Sequence, residues 1–227
     1  MELEALKKEA ALKALEQVKS GMLVGLGTGS TAKHFITALG AKLKHGDLTA
    51  ITAVATSVSS EEQALGLGIN LVPLTGQTLD LAVDGMDEVD PKLNVIKGLG
   101  GALTREKIVE SCAAQFILIG DETKTVNHLG EKTPLPVEVV QFAWKATAKK
   151  LSALGLAPKL RHQEDVPFVT DNGNYILDCH MQLPLDVHAL AQNISMTPGV
   201  LEHGLFLDMA SLAYIATSTE LKVLEKA

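Results

Sequence analysis

Short, almost continuous apolar runs alternate with longer amphipathic segments along the first half of the chain. Continuous apolar runs are typical of parallel strands buried on both faces, and apolar residues at helical spacing predict the helices between them. The predicted strands span 21–27, 48–56, 69–74, 79–85 and 116–122, and the predicted helices span 1–21, 30–43, 60–68 and 103–116. Ser59 and Glu62 have the spacing of a capping box at the start of the third helix. This alternation predicts an α/β fold with a Rossmann-like, largely parallel sheet and helices on both faces.

The pattern changes near residues 128–136. Strands are predicted at 134–140, 158–162, 167–179 and 199–206, and helices at 141–155 and 184–194. A hairpin is expected at Asn172-Gly173, a dipeptide that favours tight turns. The order β-α-β-β-α-β predicts a small α+β domain of the split βαβ, ferredoxin-like type at 128–206. We expect it to be inserted into a Rossmann-like catalytic domain formed by 1–127 and 207–227, to which residues 209–218 return a strand.

Composition narrows the classes of partner. The chain has 227 residues and a net charge of −7, which does not favour a nucleic-acid partner. No apolar run reaches the length of a membrane span, and the charged N-terminal helix lacks the apolar core of a secretory signal. Cys112 and Cys179 form no CxxC pattern. We therefore expect two reduced, buried thiols in a cytoplasmic protein.

The segment "VGLGTGSTAKHF" (24–35) leads from the first predicted strand into a helix. Free N–H groups at a helix N-terminus bind anions. The segment is not a P-loop, because no GK[ST] follows, and Ser30 stands where a dinucleotide fingerprint requires the third glycine. The hydroxyls of Thr28, Ser30 and Thr31 suit a monophosphate or sugar oxygens. A capped turn packed with small residues explains the same pattern, so both interpretations stay open here.

Acidic residues crowd the segment "DGMDEVD" (84–90) after the fourth predicted strand. The carboxyl ends of strands in an open α/β sheet face the ligand crevice, which favours a function for Asp84 and Asp87. Glu88 and Asp90 are better explained by an Asx turn and a solvated face. The spacing requires a metal loop to be considered. The Ca²⁺ loop pattern is absent, however, and Mg²⁺ would need only one or two carboxylates plus a phosphate.

Lys97 begins a second glycine-rich loop, "KGLGG" (97–101), which precedes a helix. A lysine at a strand end can oppose negative charge that develops during a reaction. The alternative is an ordinary surface lysine.

Glu106 lies in the first turn of the helix that follows, where the helix dipole stabilises a carboxylate. The apolar residues predict that the buried face consists of Ile108, Val109, Cys112, Ala113 and Phe116. At about 100° per residue, Glu106 lies about 90° from the centre of that face. A carboxylate at this border can be partly desolvated and still reach a cleft, as a general base requires.

Five segments together carry a family resemblance: "GLGTGSTAKHF", "DGMDEVD", "KGLGGALTREKIV", "PLPVEV" and "TDNGNYILD". The chain resembles the type A family of ribose-5-phosphate isomerases essentially from end to end, with the motifs in the family's order. The resemblance implies an aldose–ketose isomerase of the non-oxidative pentose phosphate pathway that interconverts ribose 5-phosphate and ribulose 5-phosphate. It also implies that no metal or organic cofactor is needed and that the chain forms a homodimer or homotetramer.

The resemblance also implies site residues. The implied substrate contacts are Thr28, Gly29, Ser30, Thr31, Asp84, Gly85, Met86, Asp87, Lys97, Gly98, Leu99, Gly100 and Lys124. Glu106 is implied to carry the carbon proton. Lys97 would stabilise an enediolate oxyanion, while Asp84 and Asp87 would orient hydroxyls, open the furanose ring and pass oxygen protons. Met86 and Leu99 depart from the usual alanine and glycine, so loop shape or substrate fit is expected to differ there.

Two other functions are alternatives for a chain of this predicted fold. A sugar-phosphate sensor domain of a transcription regulator should carry a helix-turn-helix, yet only one helix pattern precedes the first strand. An amino-sugar phosphate deaminase should present a histidine for ring opening. The seven histidines are instead scattered without a local motif.

Overall fold

The computed structural model describes residues 3–182 and 186–226. Its helices are α1 (Leu3–Leu15), α2 (Ser30–His45), α3 (Val58–Gly66), α4 (Leu103–Ser111), α5 (Trp144–Ala153) and α6 (Val187–Ser195), with a short 3₁₀ helix at Glu122–Lys124. Within these described residues, no helix is long and apolar enough to cross a membrane.

The strands are short and numerous. They are β1 (Leu23–Leu26), β2 (Thr52–Ala55), β3 (Asn70–Leu71), β4 (Leu81–Asp84), β5 (Glu88–Val89), β6 (Val95–Ile96), β7 (Phe116–Asp121), β8 (Leu135–Val139), β9 (Leu156–Leu160), β10 (His162–Gln163), β11 (Val166–Pro167), β12 (Tyr175–Met181), β13 (Val200–His203), β14 (Leu205–Phe206), β15 (Leu212–Ala216) and β16 (Leu221–Glu225).

The main sheet has seven strands in the order β16-β15-β7-β4-β1-β2-β3. Every neighbouring pair is parallel except β15 with β16. Strands β4, β7 and β15 are buried along their whole length, as their continuous apolar sequences predict. The predicted Rossmann-like sheet is therefore confirmed, including the return strand β15, whereas the edge strand β16 was missed.

The two faces of this sheet are covered differently. One face packs on α1 and α2 through a core that includes Leu15, Phe35 and Ile117. The other face packs on α4 through Val109 and on Val95 and Phe206. Those last two residues belong to a separate three-stranded antiparallel sheet, β14-β6-β5, which the sequence analysis did not predict. This small sheet matters because β6 ends immediately before Lys97.

The second half of the chain forms an antiparallel sheet in the order β13-β8-β12-β9. Helices α5 and α6 lie between its strands in the chain, which confirms the split βαβ arrangement. Part of the predicted helix 184–194 lies outside the described residues. The sheet's core also takes in Ile96 and Val126, which precede residue 128. The domain boundaries 1–127, 207–227 and 128–206 stay a prediction.

Local details agree in part with the sequence. A turn does form at Asn172-Gly173, with Gly173 at a φ of 77° and a bridge between Val169 and Tyr175. The capping-box prediction was wrong: α3 begins two residues earlier than Ser60, and the side chain of Ser57 caps it by accepting from the Ser60 N–H. Cys179 is buried as expected, whereas Cys112 is only half-buried; neither forms a disulfide.

Candidate active site

The first glycine loop is held against the end of β4 by Asp84. The Thr28 N–H donates to Asp84 Oδ1 at 2.9 Å, and the Gly85 N–H donates to the same oxygen at 2.6 Å. A Cβ on Gly27 would lie 2.1 Å from the Asp84 carboxyl carbon, so only glycine permits this approach. Gly29, with a φ of 106°, then turns the chain into α2, whose first N–H groups face outward.

The hydroxyl of Thr28 has partners that the sequence analysis did not identify. Thr28 Oγ1 lies 2.7 Å from Thr56 Oγ1, 2.8 Å from Ser57 Oγ and 3.1 Å from Ser60 Oγ. The run "ATSVSS" after β2 was the only sequence signal for this hydroxyl cluster. Since the Thr28 side chain is held by the cluster, Ser30 and Thr31 are the freer hydroxyls of the loop.

Lys97 is a buried lysine rather than a surface one, with 2% of its area exposed. Its Nζ lies 2.8 Å from Asp84 Oδ2 and donates to the Gly85 carbonyl at 2.7 Å. Two further carboxylates lie at 3.6 Å (Glu106) and 3.5 Å (Glu110). Burial lowers the pKa of Lys97, but the attraction of the three carboxylates outweighs it and holds the pKa above its ordinary value. The ammonium therefore stays charged.

Helix α4 presents two glutamates to Lys97, one turn apart. Glu106 and Glu110 are 4% and 3% exposed, whereas Ile108, which the apolar pattern placed on the buried face, is 53% exposed. Glu106 therefore lies inside the buried face and not at its border. The prediction failed because it counted apolar residues and could not see that Lys97 arrives from another element to face the carboxylates.

Burial also changes the acidity of these glutamates. It raises the pKa of Glu106 to about 8, because desolvation and the nearby Asp84 and Asp87 outweigh the attraction of Lys97. Burial likewise raises the pKa of Glu110 well above its ordinary value. Glu106 Oε2 and both oxygens of Glu110 have no hydrogen-bond partner among the described residues. The sequence did not identify Glu110 as a site residue, because a glutamate in a helix is ordinarily a surface residue.

The other acids of the segment 84–90, namely Asp87, Glu88 and Asp90, each accept hydrogen bonds from different partners. Asp87 accepts from the Leu99 N–H at 2.9 Å, and burial raises its pKa. Asp90 forms the expected Asx turn by accepting from the Lys92 and Asn94 N–H groups. Glu88 is fully buried, contrary to the expected solvated face, and accepts from the N–H groups of Gly130, Lys132 and Thr133. Its donors lie more than forty positions away, beyond the reach of local sequence patterns.

A pocket opens between the two glycine loops and Lys97. Its lining comprises Thr28, Gly29, Ser30, Thr31, Gly85, Met86, Asp87, Lys97, Gly98, Gly100, Glu106 and Lys124. Of the predicted site residues, only Asp84 and Leu99 are absent from this lining. Asp84 is fully buried behind Lys97, and Leu99 is 40% exposed on the outer side of its loop.

The unusual Met86 side chain is accommodated because a glycine, Gly120, lies opposite it. A Cβ on Gly120 would lie 2.5 Å from the Met86 methyl carbon, so the side chain fills the space above β7 and reaches toward Lys124 at the pocket edge. Met86 is 6% exposed and belongs to an apolar core. The departure therefore alters packing beneath the pocket more than the polar groups that line it.

In the part of the chain that the structure describes, no group of three or more His, Cys, Asp or Glu side chains is placed to hold a metal ion. The three carboxylates that converge near the pocket surround Lys97 instead.

The chain is similar to known proteins over most of its length. The family model of ribose 5-phosphate isomerase A (phosphoriboisomerase A) matches residues 52–220. Ribose-5-phosphate isomerase A of Deinococcus radiodurans is 50% identical over 216 residues, covering 95% of this chain and 96% of that protein. A solved D-ribose-5-phosphate isomerase in complex with phospho-erythronic acid has a TM-score of 0.96 at 42% identity and covers 99% of this chain and 100% of that chain. The Plasmodium falciparum ribose 5-phosphate isomerase structure has a TM-score of 0.96 at 38% identity, covering 99% of each chain.

Proposed function

This chain belongs to the ribose 5-phosphate isomerase A family, and on that premise we propose that it interconverts ribose 5-phosphate and ribulose 5-phosphate through an enediolate. The reaction takes a proton from C2 of the aldose and delivers one to C1. The observation that carries the proposal is the contact between Lys97 and Glu106, a buried cation and a buried carboxylate that meet at one pocket.

We assign the carbon proton to Glu106. A general base works best when its pKa lies near the working pH, and burial raises the pKa of Glu106 to about 8. Glu106 lines the pocket, so its carboxylate can reach a substrate hydrogen there. Because a carboxylate can accept the proton from C2 and return it to C1, one side chain suffices for both transfers.

We assign stabilisation of the enediolate oxygen to Lys97 and the loop that follows it. Lys97 stays charged, and it acts in a site from which most water is excluded, where a fixed charge is worth more than in water. The N–H groups of Gly98 and Gly100 make no hydrogen bond among the described residues and are available to substrate oxygens.

The two aspartates receive different roles. Asp84 lies behind Lys97 and binds the first glycine loop, so we propose that it positions Lys97 and that loop rather than touching substrate. Asp87 lines the pocket, and its raised pKa suits exchange of protons with sugar hydroxyls during ring opening.

We place the phosphate at the N-terminus of α2, between Ser30, Thr31 and Lys124. Helix N–H groups and a nearby lysine both favour a phosphate. The related isomerase bound to phospho-erythronic acid supports a phosphate-bearing ligand for this pocket.

A coupled assay for ketose formation from ribose 5-phosphate tests the activity. Free ribose should be a very poor substrate in kcat as well as in affinity, because remote binding energy positions the reacting centre. Equal kcat/KM for the two sugars would refute the phosphate site.

Activity should also survive exhaustive chelation. Activity lost to a chelator and restored by Mg²⁺ or Mn²⁺ would contradict a metal-free reaction and would make Asp84, Asp87 and Asp90 candidate ligands.

We also propose that the enzyme works as a cytoplasmic homodimer or homotetramer in the pentose phosphate pathway. The two unpaired thiols are consistent with a reducing compartment. Phe142 and Met196 are 88% and 82% exposed, which suits burial against another subunit. Light scattering of the purified protein measures the oligomeric state, and a strictly monomeric mass would contradict the assembly.

A further inference from the structure

The loop that carries Lys97 is held from outside by one arginine. Arg161 follows β9 in the four-stranded sheet, and its Nη1 donates to the carbonyl oxygens of Gly98 at 2.9 Å and Leu99 at 3.0 Å. Its Nε and Nη2 form a bidentate pair with Asp178 at 2.9 and 2.5 Å. The arginine side chain is 12% exposed. Its orientation is therefore fixed by Asp178 on one side and by the loop on the other.

Phe168 adds a second contact at the same place. The guanidinium carbon of Arg161 lies 5.8 Å from the Phe168 ring centre. A Cβ on Gly101 would lie 2.4 Å from the edge of that ring, and Gly101 has a φ of 85°. Gly101, at the end of the loop, therefore packs against Phe168, while Arg161 binds Gly98 and Leu99.

Because each peptide bond is planar, fixing a carbonyl on the Arg161 side of the loop also fixes the direction of the next N–H on the pocket side. In a trans peptide, the carbonyl of one residue and the N–H of the next point in opposite directions. Since the Gly98 carbonyl points to Arg161, the Leu99 N–H points away from it, and it does donate to Asp87 Oδ2 at 2.9 Å. Since the Leu99 carbonyl also points to Arg161, the Gly100 N–H faces the other way, where Gly100 lines the pocket.

We propose that Arg161 is a positioning residue of the isomerase. It holds the Leu99 carbonyl and, together with the Gly101 N–H at 3.0 Å, the Gly98 carbonyl, and it thereby aims the Leu99 N–H at Asp87 and the Gly100 N–H at the substrate. The proposal rests on the proposed function, because it assigns Arg161 to the loop that stabilises the enediolate. Arg161 is not among the residues that line the pocket, so we expect no contact with the reacting atoms. Its effect should therefore appear in the transition state more than in phosphate binding.

The test compares Arg161→Met and Arg161→Lys with Lys159→Met, an exposed cation on the same stretch of β9. We expect Arg161→Met to lower kcat on the order of 10²-fold, the cost of misplacing a catalytic group by about 1 Å. Arg161→Lys can still hold one carbonyl and should retain part of that activity. Lys159→Met should behave as wild type.

Two inhibitors separate positioning from general damage. Phospho-erythronic acid, whose carboxylate imitates the enediolate oxygens, should bind the Arg161→Met protein on the order of tenfold more weakly. Inorganic phosphate, which needs only the α2 end of the pocket, should inhibit both proteins equally. Equal weakening of the two inhibitors, or unchanged kcat in a folded Arg161→Met protein, would overturn the proposal.

Amide hydrogen exchange of residues 98–101 provides a readout that needs no substrate. We expect faster exchange in Arg161→Met and also in Asp178→Asn, which frees the arginine without removing it. Unchanged exchange in both variants would overturn the proposal even if the chain proved to have no isomerase activity. If wild type does not isomerise ribose 5-phosphate, the proposed function fails, while faster exchange would still support the hold on the loop. Should Arg161→Met not fold, Asp178→Asn and Arg161→Lys carry the same comparison.

Discussion

Two buried glutamates, Glu106 in the first turn of α4 and Glu138 on β8 beside that turn, have completely different surroundings. Glu138 on β8 accepts hydrogen bonds from Thr104 Oγ1 at 2.5 Å, Thr170 Oγ1 at 2.8 Å and Asn174 Nδ2 at 3.0 Å. Every one of these donors is neutral. Glu106 instead faces Lys97 at 3.6 Å, and one of its oxygens has no hydrogen-bond partner among the described residues.

This difference distinguishes a structural carboxylate from a reactive one. A buried charge is tolerated when hydrogen bonds replace the lost water, and Glu138 has its full set. Glu106 lacks such a set of hydrogen-bond donors, so its charged form is disfavoured and its pKa is raised. Through Thr104, Glu138 thereby anchors the same first turn of α4 that carries Glu106, so a carboxylate with a full set of donors helps to hold in place one that lacks them.

The largest effect should come from replacing the unsatisfied acid. Glu106→Gln keeps the shape but cannot accept the carbon proton, so kcat should fall by about 10²–10⁴-fold, toward the upper end. Exchange of the substrate's C2 proton with deuterated water should vanish in step with turnover. Ligand affinity should change little, and the protein should remain folded.

Glu61→Gln is the matched control, because Glu61 is also a first-turn glutamate but is exposed. It should retain wild-type kinetics. A folded Glu106→Gln protein that isomerises within a few-fold of wild type would show that Glu106 is not the base, and Asp87, which also lines the pocket, would take its place.

Removing the cation should have the next largest effect. We expect Lys97→Met to lower kcat/KM on the order of 10²-fold or more, by analogy with the loss of one oxyanion donor. It also leaves buried carboxylates unpaired, which costs about 3–5 kcal/mol of unfolding free energy. That loss should shrink at acid pH, where the carboxyls are neutral. Denaturant unfolding at several pH values measures it, and exposed Lys92→Met should show neither effect.

The pH dependence should report the raised pKa of Glu106. The base must be ionised, so kcat/KM should rise with pH and level off near pH 8, and Glu106→Gln should lose this limb. The free energy of unfolding should instead fall as the pH rises. Between the ordinary value of 4.5 and about 8, the folded state keeps a proton that the unfolded state has lost, so stability falls as pH rises.

Glu106→Gln should therefore gain stability relative to wild type across that same pH range. Parallel stability profiles for the two proteins would contradict a raised pKa at Glu106.

The smallest effect on catalysis should come from the satisfied acid. Glu138→Gln keeps the size but turns an acceptor into a donor that faces other donors, and hydrogen bonds to a charged group contribute about 1.5–3 kcal/mol. We expect a loss of that order in unfolding free energy, with kcat/KM within about tenfold of wild type. Glu164→Gln, an exposed change in the same half of the chain, should change neither quantity. A large loss of activity without loss of stability would make Glu138 a participant in the chemistry.

The apolar pattern predicted the elements whose burial is continuous. Strands β1, β4 and β7 and the split βαβ order could be read from the sequence because they bury runs of apolar residues regardless of their neighbours. The small sheet β14-β6-β5 could not, since each of its strands has only two residues and β14 pairs with β6 across more than a hundred positions of sequence.

By itself, the sequence determined the main sheet, its helices and the motif residues that meet at the pocket. Only the tertiary structure decided which acids are solvated, buried and satisfied, or buried and unsatisfied. Glu88, Glu106, Glu110 and Glu138 look alike in the sequence. What separates them is a cation or a set of donors supplied from distant segments, and the energy of a buried charge depends on those partners far more than on its neighbours along the chain.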